Sequence, residues 1–166
     1  IMEWFTQQAG VEKVLAKGPT KSSIRLKRGI QLDLRVVPEE QFAFALLYFT
    51  GSKNHNIKLR QRANELGFSL NEYGLDPLPH HSSPFLKRSK KPITEADIFQ
   101  ALKLSYIPPE LREEMGEIEA AEKGHLPNLV EENDIRGVFH CHTIDSDGHH
   151  TLEEMVAAAQ ALGWEY

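Results

Sequence analysis

Cysteine is nearly absent: Cys141 is the only one in 166 residues. An intrachain disulfide framework is therefore impossible, and a reducing, cytoplasmic setting is favoured. No apolar run approaches the roughly 18 residues that a membrane span needs, and no basic-then-apolar leader precedes the first structured stretch. A membrane partner is therefore not expected. The chain is 40% hydrophobic and 26% charged, with no glycine period and no low-complexity tract, which excludes collagen-like and disordered readings. Its length allows one full-sized domain, or a smaller domain plus part of another. No internal repeat is present.

The net charge of -5 hides an asymmetry. Between residues 11 and 62 basic side chains dominate, among them Lys13, Lys17, Lys21, Arg25, Lys27, Arg28, Arg35, Lys53, Lys58, Arg60 and Arg62. Between 109 and 135 the balance reverses, with Glu110, Glu113, Glu114, Glu117, Glu119, Glu122, Glu131, Glu132 and Asp134. Lys and Arg on a basic face engage phosphates because counterions are released. Charge asymmetry alone is equally what two solvated faces would give, so composition does not establish a nucleic-acid partner.

The pattern along the chain is mixed α and β. MEWFTQQ, residues 2–8, reads as the end of a helix, closed by Gly10. VEKVLAKG and SSIRLKRG, joined by Gly-Pro-Thr-Lys, read as a hairpin. IQLDLRVV alternates Ile30, Leu32, Leu34 and Val36 with Gln31, Asp33 and Arg35, which predicts a half-buried strand. Pro38-Glu39-Glu40 opens a helix ending near Thr50-Gly51, and a second helix over roughly 53–66 ends at Gly67. FSLNEYGL reads as a short strand entering a turn, and the proline- and serine-rich residues 76–92 as a loop. Thr94 caps a helix through about Leu104, Pro108-Pro109 precedes another short helix, and a further acidic helical turn lies around 117–123. RGVFHCHT reads as a buried strand, and Thr151 begins a last amphipathic helix.

Asp33 lies on the polar face of its strand, two residues before Arg35, where most acids are simply solvated or ion-paired. Its surroundings are more specific. Strand-Asp33, Pro38, a helix, then Tyr48-Phe49-Thr50-Gly51-Ser52, a basic helix and Asn71-Glu72-Tyr73 together resemble the family X DNA polymerases over roughly residues 1–106. LLYFTGS and LNEY carry the likeness. The fold it implies is α+β, a small antiparallel palm-type sheet followed by a helical thumb of the nucleotidyltransferase type. The implied domains are the end of a palm over 1–37, a thumb over 38–106 and an acidic helical linker over 107–136.

By that resemblance Asp33 is the third of three metal-binding carboxylates, and Mg²⁺ or Mn²⁺ is the implied palm cofactor. Nucleotidyl transfer uses two such ions to neutralise the triphosphate and activate the primer 3′-hydroxyl. The family draws its other two carboxylates from an earlier Asp-x-Asp pair, and no Asp-x-Asp pair precedes Asp33 here. Tyr48 and Phe49 match the pair beside the incoming sugar, with Gly51 allowing close backbone approach. Asn56 matches the residue that bonds the minor-groove edge of the incoming base. Arg60 matches one that reaches the template, and Glu72 one that holds the closed thumb. Lys53, Lys58 and Arg62 would contact DNA phosphates from the basic helix. Gln31 departs from the Arg that animal members place beside the catalytic Asp. Primer-template or gapped DNA and a deoxynucleoside triphosphate are the implied partners, with a monomer expected.

The second constellation is His140-Cys141-His142, followed by Ser146, Asp147 and Gly148. In a strand, positions i and i+2 share a side, so His140 and His142 converge while Cys141 points away. Two imidazoles and a carboxylate suit Zn²⁺ or Mn²⁺. The run HCHTIDSDGHHTLEEMVAAAQALGWEY resembles the start of a PHP-domain metallohydrolase, a phosphoesterase or nuclease that commonly follows the thumb in bacterial family X polymerases. That resemblance covers 137–166 as the incomplete βα opening of a barrel. It carries over His140, His142 and Asp147 as ligands and gives His149 and His150 no match. A competing reading, from a different class, is a non-catalytic DNA-binding module that uses the basic helix 53–66.

Overall fold

The computed structural model describes residues 1–79 and 94–166. Its described elements run α1 (Met2–Thr6), β1 (Val11–Lys17), β2 (Lys21–Leu26), β3 (Gln31–Arg35), α2 (Glu39–Tyr48), α3 (Lys53–Glu65), β4 (Phe68–Asn71), β5 (Gly74–Pro77), α4 (Glu95–Ala101), α5 (Glu117–Lys123) and α6 (Leu152–Ala161). Short 3-10 turns sit at Pro109–Leu111 and Glu132–Asp134. The fold is α+β: β1-β2-β3 form one antiparallel sheet and β4-β5 a second. α1 packs against the first sheet, and α2 and α3 against the second. The chain divides into two compact units, Ile1–Leu126 and Pro127–Tyr166.

The elements follow from local chemistry. Pro38 and two acids in the first turn start α2 where the amide dipoles favour negative charge. Ser52 caps α3, its hydroxyl accepting from the His55 amide at 3.1 Å. Thr94 and Asp97 form a capping box at α4, and Thr151 and Glu154 do the same at α6. The β2-β3 register sets Ser23 opposite Asp33 and Lys21 opposite Arg35. In the first unit one core joins Phe44 and Leu47 of α2, Leu59 and Ala63 of α3, Phe68 and Leu75 of the small hairpin, and Ile98 and Phe99 of α4.

Several expectations change. The strand over RGVFHCHT does not form: residues 137–143 pair with no described strand, His140 has φ 62, and Phe139 is 80% exposed. Only its start is paired, the Val138 amide donating to the Tyr166 carbonyl at 3.0 Å and the Arg136 carbonyl accepting from the Glu165 amide at 2.6 Å, and two such bonds do not make a strand of the whole run. β3 forms, but Leu32 and Val36 are exposed rather than half-buried: β3 is an edge strand, and the cover that buries Ile24, opposite Leu32 on the central strand, does not extend to it. α4 stops at Ala101, short of Leu104, where Lys103 turns left-handed at φ 57. Finally, residues 107–126, expected to open a linker, belong to the first unit and place Ile107, Ile118 and Ala121 in its core. Of the expected loop over 76–92, residues 76 and 77 close β5, and 80–92 lie outside the described residues.

Candidate functional site

The site is assembled from β3, the α2–α3 junction and the β4-β5 hairpin. Asp33 stands on the solvent face of β3 and accepts a hydrogen bond from Ser23 on the neighbouring strand and a longer one, at 3.3 Å, from the Gln31 amide. The Ser23 bond is the main reason its carboxyl is held below the usual range. Slight desolvation opposes ionisation, and Gln31, Lys21 and Arg35 reinforce it.

Two residues along β3, Arg35 reaches into the junction. Its guanidinium lies 5.3 Å from the centre of the Phe49 ring and 3.9 Å from the Glu72 carboxylate. Tyr48 meets Phe49 edge-to-face at 5.0 Å. Glu72 sits at the tip of β4-β5, where the Asn71 carboxamide accepts the amides of Tyr73 and Gly74 and tightens the turn. Three elements distant in sequence thus meet through Arg35, Phe49 and Glu72.

Beside them a shallow pocket is lined by Phe44, Leu47, Tyr48, Asn56, Arg60, Leu70 and Asn71. Asn56 and Arg60 are one turn apart on α3, so both present to the same side. The Asn56 carboxamide donates to the Ser52 carbonyl at 3.2 Å, which leaves its oxygen as an acceptor toward the pocket. Arg60 makes no ion pair with any described residue. The cavity itself, about 10 Å³, has room for no more than one water, but its rim offers a carboxamide, a guanidinium and an aromatic edge, groups able to bond a base edge or a phosphate laid against the surface.

The opposite face of α3 is occupied by the acidic segment. Lys58 pairs with Glu119 at 2.5 Å and Glu114 at 3.5 Å, and Arg62 with Glu122 at 2.6 Å. Hydrogen bonding to Glu119 raises the Lys58 pKa, and the same contact lowers that of Glu119. Lys58 and Arg62, expected to contact DNA, are thus engaged within the chain, while Lys53 and Arg60 make no ion pair among the described residues. The two charged segments that the sequence shows apart are each other's partners here.

Sequence reasoning missed Arg112, His55 and Glu117. Arg112 is fully buried: its guanidinium donates to the Ile107 carbonyl at 3.0 Å and to Glu95 at 2.6 Å, and lies over the rings of Phe99 and Tyr106. Its carbonyl accepts the Ser52 amide at 2.7 Å. Gly51 has φ 88, and a Cβ there would lie 2.5 Å from that of Arg112. The close neighbour that glycine permits is therefore Arg112 itself. His55 is wholly buried against Glu117 at 2.6 Å. Contacts spanning 62 residues leave no periodic signal in a sequence.

In the second unit the rings of His140 and His142 stack at 4.9 Å, and the His142 Nδ1 is hydrogen-bonded to Asp147. The three expected side chains are thus neighbours. Among the described residues, however, no group of three or more His, Cys, Asp or Glu is arranged to hold a metal ion. Cys141 is exposed, and His150 lies 3.5 Å from Glu154. Asp33 likewise offers one carboxylate, and one is a poor Mg²⁺ site. Neither set makes up a complete metal centre among the described residues.

The family model described as DNA polymerase beta thumb matches residues 45–113. The chain is 34% identical over 168 residues to the DNA polymerase/3′-5′ exonuclease PolX of Bacillus subtilis, an alignment covering 100% of this chain and 28% of that protein. The chain belongs to the family X DNA polymerases. Other family X relatives include rat DNA polymerase lambda, 38% identical over 52% of this chain and 16% of its own, and human DNA-directed DNA/RNA polymerase mu, 41% identical over 51% and 16%. The chain therefore spans between 16% and 28% of the length of these relatives. Among solved family X structures, the ternary P/T complex of Leishmania infantum polymerase beta superposes with a TM-score of 0.52 at 28% identity, over 68% of this chain and 50% of that one. No helix among the described residues is long and apolar enough to cross a membrane.

Proposed function

We propose that this chain supplies the end of the palm (1–37) and the thumb (38–106) of a DNA-directed DNA polymerase acting in repair synthesis. Residues 137–166 would open a PHP phosphoesterase or nuclease domain. The observation that carries the reading is the pocket in which Asn56 and Arg60 of α3 face Tyr48 of the α2 C-terminus. Two of the solved structures that the chain resembles are ternary P/T and gap complexes of a polymerase beta, which supports a primer-template or gapped DNA partner. Two divalent ions supply charge neutralisation in such transfers when a full carboxylate set is present. Asp33 would contribute one carboxylate to that set.

The roles of the chain's own residues follow from their chemistry. The Asn56 carboxamide would bond the edge of the incoming deoxynucleotide, and Tyr48 and Phe49 would pack against its sugar. Arg60 would reach the template strand from the same helix face. Arg35, bridging Phe49 and Glu72, would hold the thumb against the palm strand in the closed arrangement. Lys53 would add a phosphate contact at the start of α3. The protein would act as a cytoplasmic monomer. The alternative, a binding module built on the whole basic helix, is disfavoured by the carboxylates that already occupy Lys58 and Arg62.

The test is single-nucleotide gap filling by the full-length protein that carries this segment. Asp33→Ala should abolish incorporation, and Asn56→Ala should raise KM for the nucleotide. The 166-residue chain alone should bind gapped DNA weakly and extend no primer with Mg²⁺ or Mn²⁺. Undiminished incorporation by the Asp33→Ala protein would refute the reading.

A further inference from the structure

We propose that the buried His55–Glu117 pair is a positioning device that sets where Asn56 stands in the nucleotide pocket. The inference rests on the polymerase reading above and concerns residues that no motif in that reading includes.

The two side chains lie on either side of one junction. His55 is the third residue of α3 and directly precedes Asn56, and its ring is 0% exposed. Glu117 opens α5 at 6% exposure. Its carboxylate is fully used. One oxygen takes the His55 Nδ1–H at 2.6 Å and the Glu114 amide at 3.0 Å, and the other takes the Met115 amide at 2.7 Å. Those two amides belong to a tight arch whose backbone is left-handed at Glu114 (φ 61) and Gly116 (φ 99). The carboxylate therefore closes the arch and fastens it to α3 in one step.

The same arch grips the other side of the junction, because the Arg112 carbonyl accepts the Ser52 amide at 2.7 Å. Residues 52–55 are thus held at both ends: Ser52 by the Arg112 carbonyl, His55 by the Glu117 carboxylate. The Asn56 carboxamide is itself held only by backbone carbonyls of the same junction, Ser52 at 3.2 Å and Thr50 at 3.4 Å, so its placement is inherited from that junction. A buried carboxylate with three donors is costly to disturb, since removing one partner strands the others in a dry site. That makes the pair stiff, which is what holding a recognition side chain to within a fraction of an ångström requires. The second ring nitrogen of His55 has no hydrogen-bond partner among the described residues. Only the Nδ1 side of the ring therefore acts, and a side chain that reproduces that one donor should suffice.

This predicts which substitutions are tolerated. His55→Asn places an N–H near the position of Nδ1, whereas His55→Phe fills the space and offers no donor. In the full-length protein, single-nucleotide gap filling should show nucleotide KM raised about tenfold in His55→Phe with kcat changed less than about threefold, and KM near that of the unaltered protein in His55→Asn. Glu117→Gln, which cannot accept from all three donors, should resemble His55→Phe. The affinity for gapped DNA should be unchanged in all three.

Asn56→Ala in parallel separates the two hypotheses. If the unaltered protein incorporates nucleotide and Asn56→Ala raises KM, yet His55→Phe and Glu117→Gln leave KM unchanged, the pair does not position Asn56. Parallel deterioration of KM, kcat and melting temperature, with no rescue in His55→Asn, would make the pair a packing element and overturn the proposal. If the unaltered protein incorporates nothing, the polymerase reading falls, and this inference with it. Should His55→Phe fail to fold, Glu117→Gln against His55→Asn gives the same decision.

Discussion

The two units of this chain answer differently to the same kind of sequence. α4 in the first unit has seven residues and buries Ile98 and Phe99 completely. α6 in the second has ten, a stronger-looking amphipathic pattern and an equally good capping box, yet it buries nothing: Leu152, Val156 and Leu162 are each about half exposed. Capping and periodicity decide that a helix forms, and only a partner surface decides that it contributes to a core. In the first unit that surface comes from α2, α3 and the β4-β5 hairpin. In the second, no residue from 127 to 166 is buried.

Large-to-small substitutions test the contrast most sharply. Phe99→Ala removes a fully buried ring that packs on Tyr106 and under the Arg112 guanidinium, and should destabilise the first unit by about 3–5 kcal/mol. Val156→Ala in α6 should change stability by less than about 0.5 kcal/mol. Urea unfolding of the two variants measures both. Similar losses would mean that α6 is covered by more than the burial pattern indicates.

Gly51→Ala comes next. The backbone there is left-handed and the new Cβ would press on Arg112, so either the turn opens or the Ser52–Arg112 hydrogen bond lengthens. Thermal unfolding should show a loss of about 1–3 kcal/mol confined to the first unit. Gly163 in the second unit is also left-handed, at φ 70, but a Cβ added there would meet no atom within 4 Å, so its substitution should cost less.

Acid should separate the units in the same order. Burial pushes the Glu117 carboxyl up, but the hydrogen bonds from His55 and from the amides of Glu114 and Met115 outweigh it and leave the pKa below its ordinary value of 4.5. A carboxyl lowered on folding stabilises fully above its unfolded pKa, and that contribution is lost as pH falls through the folded one. The melting temperature of the first unit should therefore drop on acidification below about pH 4.5, and the slope should flatten in Glu117→Gln. An unchanged slope in that variant would assign the acid sensitivity to other carboxyls.

These contrasts also explain what could be read in advance. The β1-β2 hairpin, α2, α3 and the starts of α4 and α6 were legible because their signals are local: Pro38, Thr94 and Thr151 each act within four residues. LLYFTGS and LNEY were legible only as a family resemblance, and they contribute Leu47, Tyr48, Leu70 and Asn71 to the pocket lining. RGVFHCHT had the right residues for a strand, but only its first residues find a backbone partner, at Glu165 and Tyr166, a fact about the rest of the molecule that its own residues do not encode. Arg112 and Glu117 looked like members of an acidic, solvated stretch. Their burial depends on Glu95 and His55, 17 and 62 residues away, and no spacing rule reaches that far.

The smallest expected effect concerns the charged face of α3. Lys58 has carboxylates at 2.5 and 3.5 Å, but it is 32% exposed and Glu119 is 50% exposed. Water screens such pairs and two long side chains lose rotamer freedom in making them, so Lys58→Ala should cost only about 0.5 kcal/mol. The same substitution should leave affinity for gapped DNA almost unchanged, because the ammonium is already compensated within the chain. Arg60→Ala, on the pocket side, should weaken binding and lower the log–log salt slope by about one. Fluorescence anisotropy across a salt series distinguishes the two faces. If Lys58→Ala reduces the slope as much as Arg60→Ala does, DNA displaces the carboxylates on binding, and the acidic segment is a competitor for phosphate rather than a fixed brace.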